Sequence, residues 1–283
     1  PVFESLYEDY INSSIAAKEK NNTNKKSELK EMRKDINFEN VSFKYSNASF
    51  DSLSSVNQKI KKGEFLGIAG ESGCGKTTFL DLLVGLLEPK NGEILVDELN
   101  ILGRSISNLQ KKIGYVTQKS FLIDGSVYTN VAFGQSENKI DKKKVKEVCK
   151  VAEISDFIEN NLKNSYDTLI GESGVKFSGG QQQRLMIARA LYQNPEVIVL
   201  DEATNALDNI NEEKVIQNII NCFQNATIVF VTHRIKSLRG CDRILFFDNG
   251  KLIQEGKYEF LLENNKKFKE LSLIEKTKKV SHI

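Results

Sequence analysis

The chain has 283 residues, enough to bury a substantial core as one large domain or two small ones. Hydrophobic residues make up 40% and charged residues 28%, with a formal net charge of +2. This is the composition of an ordinary soluble globular protein, and it offers no electrostatic case for nucleic acid. Four scattered cysteines, Cys74, Cys149, Cys222 and Cys241, lack C-x-x-C spacing, suggest neither a disulfide framework nor a zinc site, and fit a reducing compartment. No apolar run approaches the ~18 residues of a membrane helix and no signal peptide is evident, so the chain reads as soluble. It starts at Pro1 with no initiator Met, as a piece of a longer protein would.

Residues 1–35 hold a short amphipathic piece, VFESLYEDYINSSI, then a polar stretch rich in Asn and Lys; they read as a helix end and a linker. The basic runs, Lys18–Lys34 and one near the C-terminus, read as solvated linker and tail. From INFENVSFKY the period changes to two, with Ile36, Phe38, Val41 and Phe43 among polar residues, which predicts strands. EFLGIAG is a short buried strand running into a glycine-rich loop, and TTFLDLLVGLL behind it has helical spacing. GEILVDE and KIGYVTQ are further strands, and a charged helical pattern runs from about Asp141 to Leu162. A helix beginning near Ser178 stops at Pro195, and EVIVLDEA, ATIVFVTH and RILFFDNGKLIQEG follow as strands. Two of these are continuous apolar runs, as expected of strands covered on both faces. Strands alternating with helices, without an internal repeat, predict an α/β domain with a largely parallel sheet.

GESGCGKT matches G-x-x-x-x-G-K-[ST] through Gly70, Gly75, Lys76 and Thr77, between a predicted strand and a helix, which is the context this phosphate loop requires. The glycines let backbone amides face phosphate, Lys76 reaches the β/γ phosphates, and the Thr77 hydroxyl can ligate Mg²⁺. The candidate cradle thus comprises Gly70, Glu71, Ser72, Gly73, Cys74, Gly75, Lys76, Thr77 and Thr78. VIVLDEA puts Asp201 at the carboxyl end of a buried strand, where open parallel sheets bind ligands and a carboxylate can hold Mg²⁺. Glu202, one residue on, can polarise an attacking water as general base. A second Gly-rich turn, FSGGQQQR, opens another helix: Ser178, Gly179, Gly180 and Gln181 form an N-cap or a second anion cradle.

With FSGGQ following GESGCGKT and preceding VIVLDEA, the chain resembles the nucleotide-binding domain of ATP-binding cassette (ABC) transporters, whose signature is Leu-Ser-Gly-Gly-Gln. The resemblance covers roughly Ile36 to Leu262. It implies a P-loop NTPase fold: a RecA-like core, an antiparallel β subdomain and an α-helical signature subdomain at about 119–190. It divides the chain into 1–35, the end of a membrane-domain helix and a linker; 36–262, the ATPase; and 263–283, a C-terminal helix and basic tail. It also implies that two copies pack head to tail, so that Ser178, Gly179, Gly180 and Gln181 face the ATP held by the neighbour's glycine loop.

Further roles follow by the same resemblance. Tyr45 stacks on adenine. Gln118 touches Mg²⁺ and the attacking water and senses the membrane domain. Asp208, ending NALD, contacts the opposite subunit, and His233 hydrogen-bonds the γ-phosphate. Lys76, Gln118, Glu202 and His233 are then catalytic, and Thr77, Gln118 and Asp201 hold the metal.

The chain departs from the family pattern at Phe177 for Leu, Thr117 for Pro and Asn205 for Ser. TLIGESGVKFSGGQ resembles exporters, with Glu172 contacting the transmembrane domains, at the cytoplasmic face of the membrane. IGYVTQKSFLIDGSVYTNVAFG is similar to flippases of lipid-linked oligosaccharides and polysaccharides, a likeness shared with lipid A and peptide exporters. The implied function is ATP hydrolysis coupled to export or flipping of an amphiphilic cargo.

Two other readings stay open. A soluble cassette ATPase acting on DNA or ribosomes would carry a long coiled coil or a second cassette, and neither pattern is present. A regulatory ATP-binding module without turnover differs only in phosphate release. Cys74, inside the glycine loop, is expected to react with thiol reagents and to be protected by bound nucleotide.

Overall fold

The computed structural model describes residues 32–46, 48–100, 108–118, 121–171 and 174–278, the side chains as far as 273. The N-terminal amphipathic piece, most of the linker, Glu172 and the last residues of the tail lie outside them.

Alternating sequence builds the first sheet. β1 (Asp35–Phe43), β2 (Leu53–Lys61), β4 (Asn91–Val96) and β5 (Leu99–Asn100) form an antiparallel sheet in the order β2-β1-β4-β5. Its inward residues, Ile36, Phe38, Val41 and Phe43 on β1, are the ones the period of two picks out. The pairing slips beyond Phe38, with Asn40 at φ 51°, and the bulge bends the strand.

The continuous apolar runs form the second sheet. β3 (Phe65–Ala69), β9 (Val197–Asp201) and β10 (Thr227–Val231) are buried at every position, because both faces are covered. With β6 (Ile113–Val116), β11 (Arg243–Asp248) and β12 (Lys251–Gly256) the order is β12-β11-β3-β10-β9-β6. All neighbours are parallel except the β11–β12 hairpin. The run RILFFDNGKLIQEG is thus two strands; Asn249 and Gly250, at φ 48° and 74°, supply the tight turn an Asn-Gly pair favours. β7 (Gly125–Ser126) pairs with β8 (Leu169–Ile170) in a small ribbon.

Because side chains alternate across a strand, this sheet separates two cores. Val197, Val199, Val229 and Val231 pack with the antiparallel sheet and α1 (Lys76–Leu83). Ile198, Leu200, Ile228 and Phe230 pack on the other side with α2 (Val127–Val131), α3 (Lys142–Val151), α4 (Ser155–Asn161), α5 (Gly179–Tyr192) and α6 (Asn209–Cys222). α7 (Tyr258–Asn264) and α8 (Lys266–Lys278) complete the chain, Phe268 of α8 closing the second core. The helical stretch expected over 141–162 is two helices, because the chain turns at Glu153 with φ 56°. Among the described residues no helix is long and apolar enough to cross a membrane.

Phe79 joins the layers of the first core. It is fully buried, stacked on Phe38 of β1 at 4.5 Å between ring centroids and tilted against Phe247 of β11 at 5.3 Å. Phe79→Ala removes those contacts and leaves a cavity that rigid neighbours do not refill, at a cost of about 3–5 kcal/mol. The urea midpoint is expected to fall accordingly, with the m-value unchanged.

Candidate functional site

The site residues gather where four neighbouring parallel strands end. β3 runs into Gly70, β10 into His233, β9 ends on Asp201, and β6 leads to Gln118. Register keeps them level: Val231 pairs with Ile68 on one side and Asp201 on the other, and Val116 pairs with Leu200. This is the edge at which open parallel sheets bind ligands.

After β3 the loop wraps through Gly70, Gly73 and Gly75, at φ 148°, 78° and 106°. A Cβ on Gly70 would stand 2.3 Å from the Phe247 carbonyl oxygen, and one on Gly75 2.5 Å from that of Ser52. Side chains are therefore excluded and the backbone itself lines the turn. Lys76 opens α1 with its ammonium bent over the loop, donating to the carbonyl oxygens of Gly70 and Glu71 at 2.8 and 2.7 Å. Glu71, Ser72 and Thr77 are exposed and Thr78 is buried. The Tyr45 hydroxyl lies 3.4 Å from the Thr78 hydroxyl, with its ring edge-on to Phe43 and 43% of the residue exposed, just beyond the end of β1.

Cys74 differs from expectation. It is only 5% exposed, and burial raises its thiol pKa, opposed by the Lys76 ammonium. Its position in the loop is where the sequence puts it, but the sulfur is turned away from reagents.

The carboxylates sit beneath the loop. Asp201, 4% exposed, has its pKa raised to about 6 by desolvation, then by the charges of Glu202 and Asp81; Lys76 and a hydrogen bond from Thr77 oppose the shift. Asp81 of α1 is itself raised by burial and accepts from the Tyr115 hydroxyl at 3.4 Å.

Glu202 has φ 52°, a left-handed conformation that a residue with a side chain adopts at a cost, and such strain clusters at working sites. Its carboxylate accepts from His233 Nε2 at 2.5 Å on one oxygen. On the other it accepts from Gln118 Nε2 at 2.7 Å and Asn205 Nδ2 at 3.0 Å.

The second glycine turn lies elsewhere on the chain. Ser178 caps α5 reciprocally: its hydroxyl accepts from Gln181 N–H and its own N–H donates to the Gln181 side chain at 2.8 Å. A Cβ on Gly180 would stand 3.0 Å from the Ala206 carbonyl oxygen, so the turn packs against loop 205–207; nearest to Gly179 is Ala206 Cβ, at 3.5 Å. Asp208 caps α6, accepting from Asn211 N–H at 3.0 Å, and those bonds lower its pKa. Among the described residues no hydrogen bond or ion pair joins Ser178–Gln181 to Gly70–Thr78.

Sequence reasoning missed several participants. Asp81 and Tyr115 hide in helix and strand patterns that packing alone explains. Arg234, next to His233, donates to Glu212 at 2.8 Å and to the carbonyl oxygens of Asn205 and Leu207, clamping loop 205–207 to α6. Gln183 of α5 accepts from Ala206 N–H at 2.8 Å. The only available signal was the departure at Asn205.

A glycine cradle closed on a lysine, over a buried carboxylate at a strand end, defines a nucleotide-binding domain of the P-loop class. The family described as ABC transporter matches residues 53–205. Leukotoxin translocation ATP-binding protein LktB of Pasteurella haemolytica-like sp. (strain 5943B) is 38% identical over 237 residues, 84% of this chain and 33% of that protein. Its counterpart in Mannheimia glucosida is also 38% identical over 237 residues, with the same coverage. The chain thus spans about a third of the length of these relatives. A bacterial Atm1-family ABC exporter solved with ATP bound superposes with a TM-score of 0.79 at 29% identity, over 97% of this chain and 48% of that one. This chain belongs to the ABC transporter family and corresponds to its ATP-binding domain.

Two outcomes follow from the buried groups. Because the Asp201 pKa is raised from 3.8 to about 6, the folded chain holds this proton more tightly than the unfolded chain. Its contribution to stability therefore falls as pH rises from about 4 to 6. Asp201→Asn is expected to raise the melting temperature of the nucleotide-free protein at pH 7.5, by the equivalent of roughly 2–3 kcal/mol. The gain should vanish near pH 4, as scanning calorimetry at both values will show. Alkylation of Cys74 should be about tenfold or more slower than that of exposed Cys222 in the folded chain, read by mass spectrometry.

Proposed function

We propose that this chain is the ATP-hydrolysing nucleotide-binding domain of an exporter. It closes head to tail with a second copy around two Mg-ATP and drives an amphiphilic cargo across a membrane. The observation carrying this reading is the convergence of Lys76, Thr77, Asp201, Gln118, Glu202 and His233 at level strand ends, with Glu202 strained.

In this reading residues 36–262 are the ATPase, 119–190 its helical part, and 1–35 and 263–283 flanking segments. The backbone amides of Gly70–Thr77 hold the phosphates, and the Lys76 ammonium exchanges the carbonyls of Gly70 and Glu71 for phosphate oxygens. Tyr45 turns from Thr78 to stack on the base. The donor set suits a hard divalent cation: the Thr77 hydroxyl, the Asp201 carboxylate and the Gln118 amide oxygen, Gln118 turning from Glu202 to the metal. When bound, Mg²⁺ neutralises charge on the phosphate oxygens. Glu202 accepts the proton of the attacking water, and His233 donates to the γ-phosphate. Ser178, Gly179, Gly180 and Gln181, with Asp208 near the interface, serve the partner's nucleotide. The α5 N-terminus presents unpaired amides and a positive dipole end, both suited to phosphate. The transmembrane partner meets the surface near Gln118 and Glu172 at the cytoplasmic face.

The cargo has two candidate classes. The sequence likeness to flippases favours a lipid-linked saccharide; the relatives named for leukotoxin translocation favour a polypeptide. Stimulation of ATP turnover in the full-length transporter by one class and not the other decides between them.

The domain-level test uses Glu202→Gln, which binds ATP without hydrolysing it. Light scattering is expected to show a dimer with ATP and a monomer without. Adding Ser178→Arg, which loses the α5 cap at about 1 kcal/mol and blocks the trans seat, should abolish the dimer while leaving nucleotide affinity within about threefold. ATP binding with neither turnover in wild type nor any dimer would overturn the reading.

A further inference from the structure

The third donor to Glu202 has no place in the scheme above. Gln118 and His233 each have a second task, at the metal and the γ-phosphate. The Asn205 amide has none, yet its Nδ2 sits 3.0 Å from the same Glu202 oxygen that receives Gln118. An ionised carboxylate offers about four acceptor positions, two on each oxygen. Gln118 and Asn205 together fill one oxygen, and His233 takes half of the other.

Asn205 is also not free to drift. It lies on loop 205–207, whose backbone is held from two sides. Gln183, on the signature helix α5, accepts from Ala206 N–H at 2.8 Å. Arg234 donates to the carbonyl oxygens of Asn205 and Leu207 at 3.2 and 2.7 Å, while anchored to the buried Glu212. The Gly180 turn packs on Ala206, where even a methyl group would stand 3.0 Å from its carbonyl oxygen. The α5 helix is thus tied through Gln183 to Ala206, the residue next to Asn205.

We propose that Asn205 is a positioning residue that holds Glu202 in a resting orientation until α5 seats on the partner's nucleotide and draws the loop back. The inference rests on the function proposed above. When Gln118 and His233 turn to metal and phosphate, Asn205 is the donor left on the carboxylate, and its withdrawal exposes that oxygen to water. The base of this chain's own site thereby reads the occupancy of the second site, without a contact between the two glycine loops. A serine at this position is one heavy atom shorter and carries no amide to reach Glu202.

The test compares steady-state ATP turnover and nucleotide affinity of wild type, Asn205→Ser, Gln183→Ala and the double variant. Asn205→Ser is expected to raise kcat roughly 2- to 10-fold with KM for ATP unchanged, the rate equivalent of losing one hydrogen bond. Gln183→Ala, which cuts the tie to α5, should lower kcat with ATP affinity retained. The double variant should turn over like Asn205→Ser, a non-additivity that two independent structural losses would not give. Glu202→Gln added to Asn205→Ser should abolish the gain. An unchanged or lower kcat in Asn205→Ser, with wild type active, would overturn the proposal and leave the ATPase reading intact. Binding of ATP without turnover in the wild type would overturn both.

Discussion

The structure depends on one constraint: four parallel strands, far apart in sequence, must end at the same level. Hydrogen bonding between β3, β10, β9 and β6 fixes that level, and a slip of one residue would turn every inward side chain to the opposite core. Valines on one face of β9 and β10 and larger apolar residues on the other make such a slip costly twice over, because both faces are buried. The registration needed for folding thus also brings Gly70, His233, Asp201 and Gln118 to one edge.

What collects at that edge is electrostatically incomplete. Asp201, Glu202 and Asp81 place three carboxyl groups close together, and Lys76 is the cation acting on Asp201. The ammonium meanwhile spends its bonds on two backbone carbonyls. Burial and mutual repulsion raise the pKa of Asp201, and the Tyr115 hydroxyl eases the charge on Asp81 only through a long bond. Such a site gains from a ligand carrying its own divalent cation, since the cation offsets the acidic residues while the phosphates satisfy Lys76 and the loop amides. Preorganisation for Mg-nucleotide is held in the resting state as unspent polarity.

Much of this was legible in the sequence, because the strongest signals are local. The glycine loop, the acidic strand end and the Ser178 cap each need only a few consecutive residues, and the fully apolar runs of β9 and β10 announce burial on both faces. What escaped depends on contacts across long separations or on one backbone angle. Glu153 at φ 56° splits a charged helical pattern that periodicity reads as continuous. The β11–β12 turn was written in Asn249-Gly250 but masked by the strong apolar run before it. The motif shows Cys74 in the loop, but only the fold shows its burial, at 5% exposed. Arg234 reads as the residue after a histidine until Glu212 is seen beneath it.

The two glycine turns of this chain pose a problem of communication rather than of binding. Each opens a helix, yet among the described residues no hydrogen bond or ion pair joins them within one chain. Loop 205–207 lies between them: its backbone meets α5 through Gln183 and Gly180, and the Asn205 side chain meets Glu202. It is held at both ends by Arg234 and in the middle by Gln183. A stiff segment between two sites can pass a displacement that a mobile loop would absorb. The departure at Asn205, which from sequence alone was a small deviation at a loop, is where that segment acquires a hydrogen bond to Glu202.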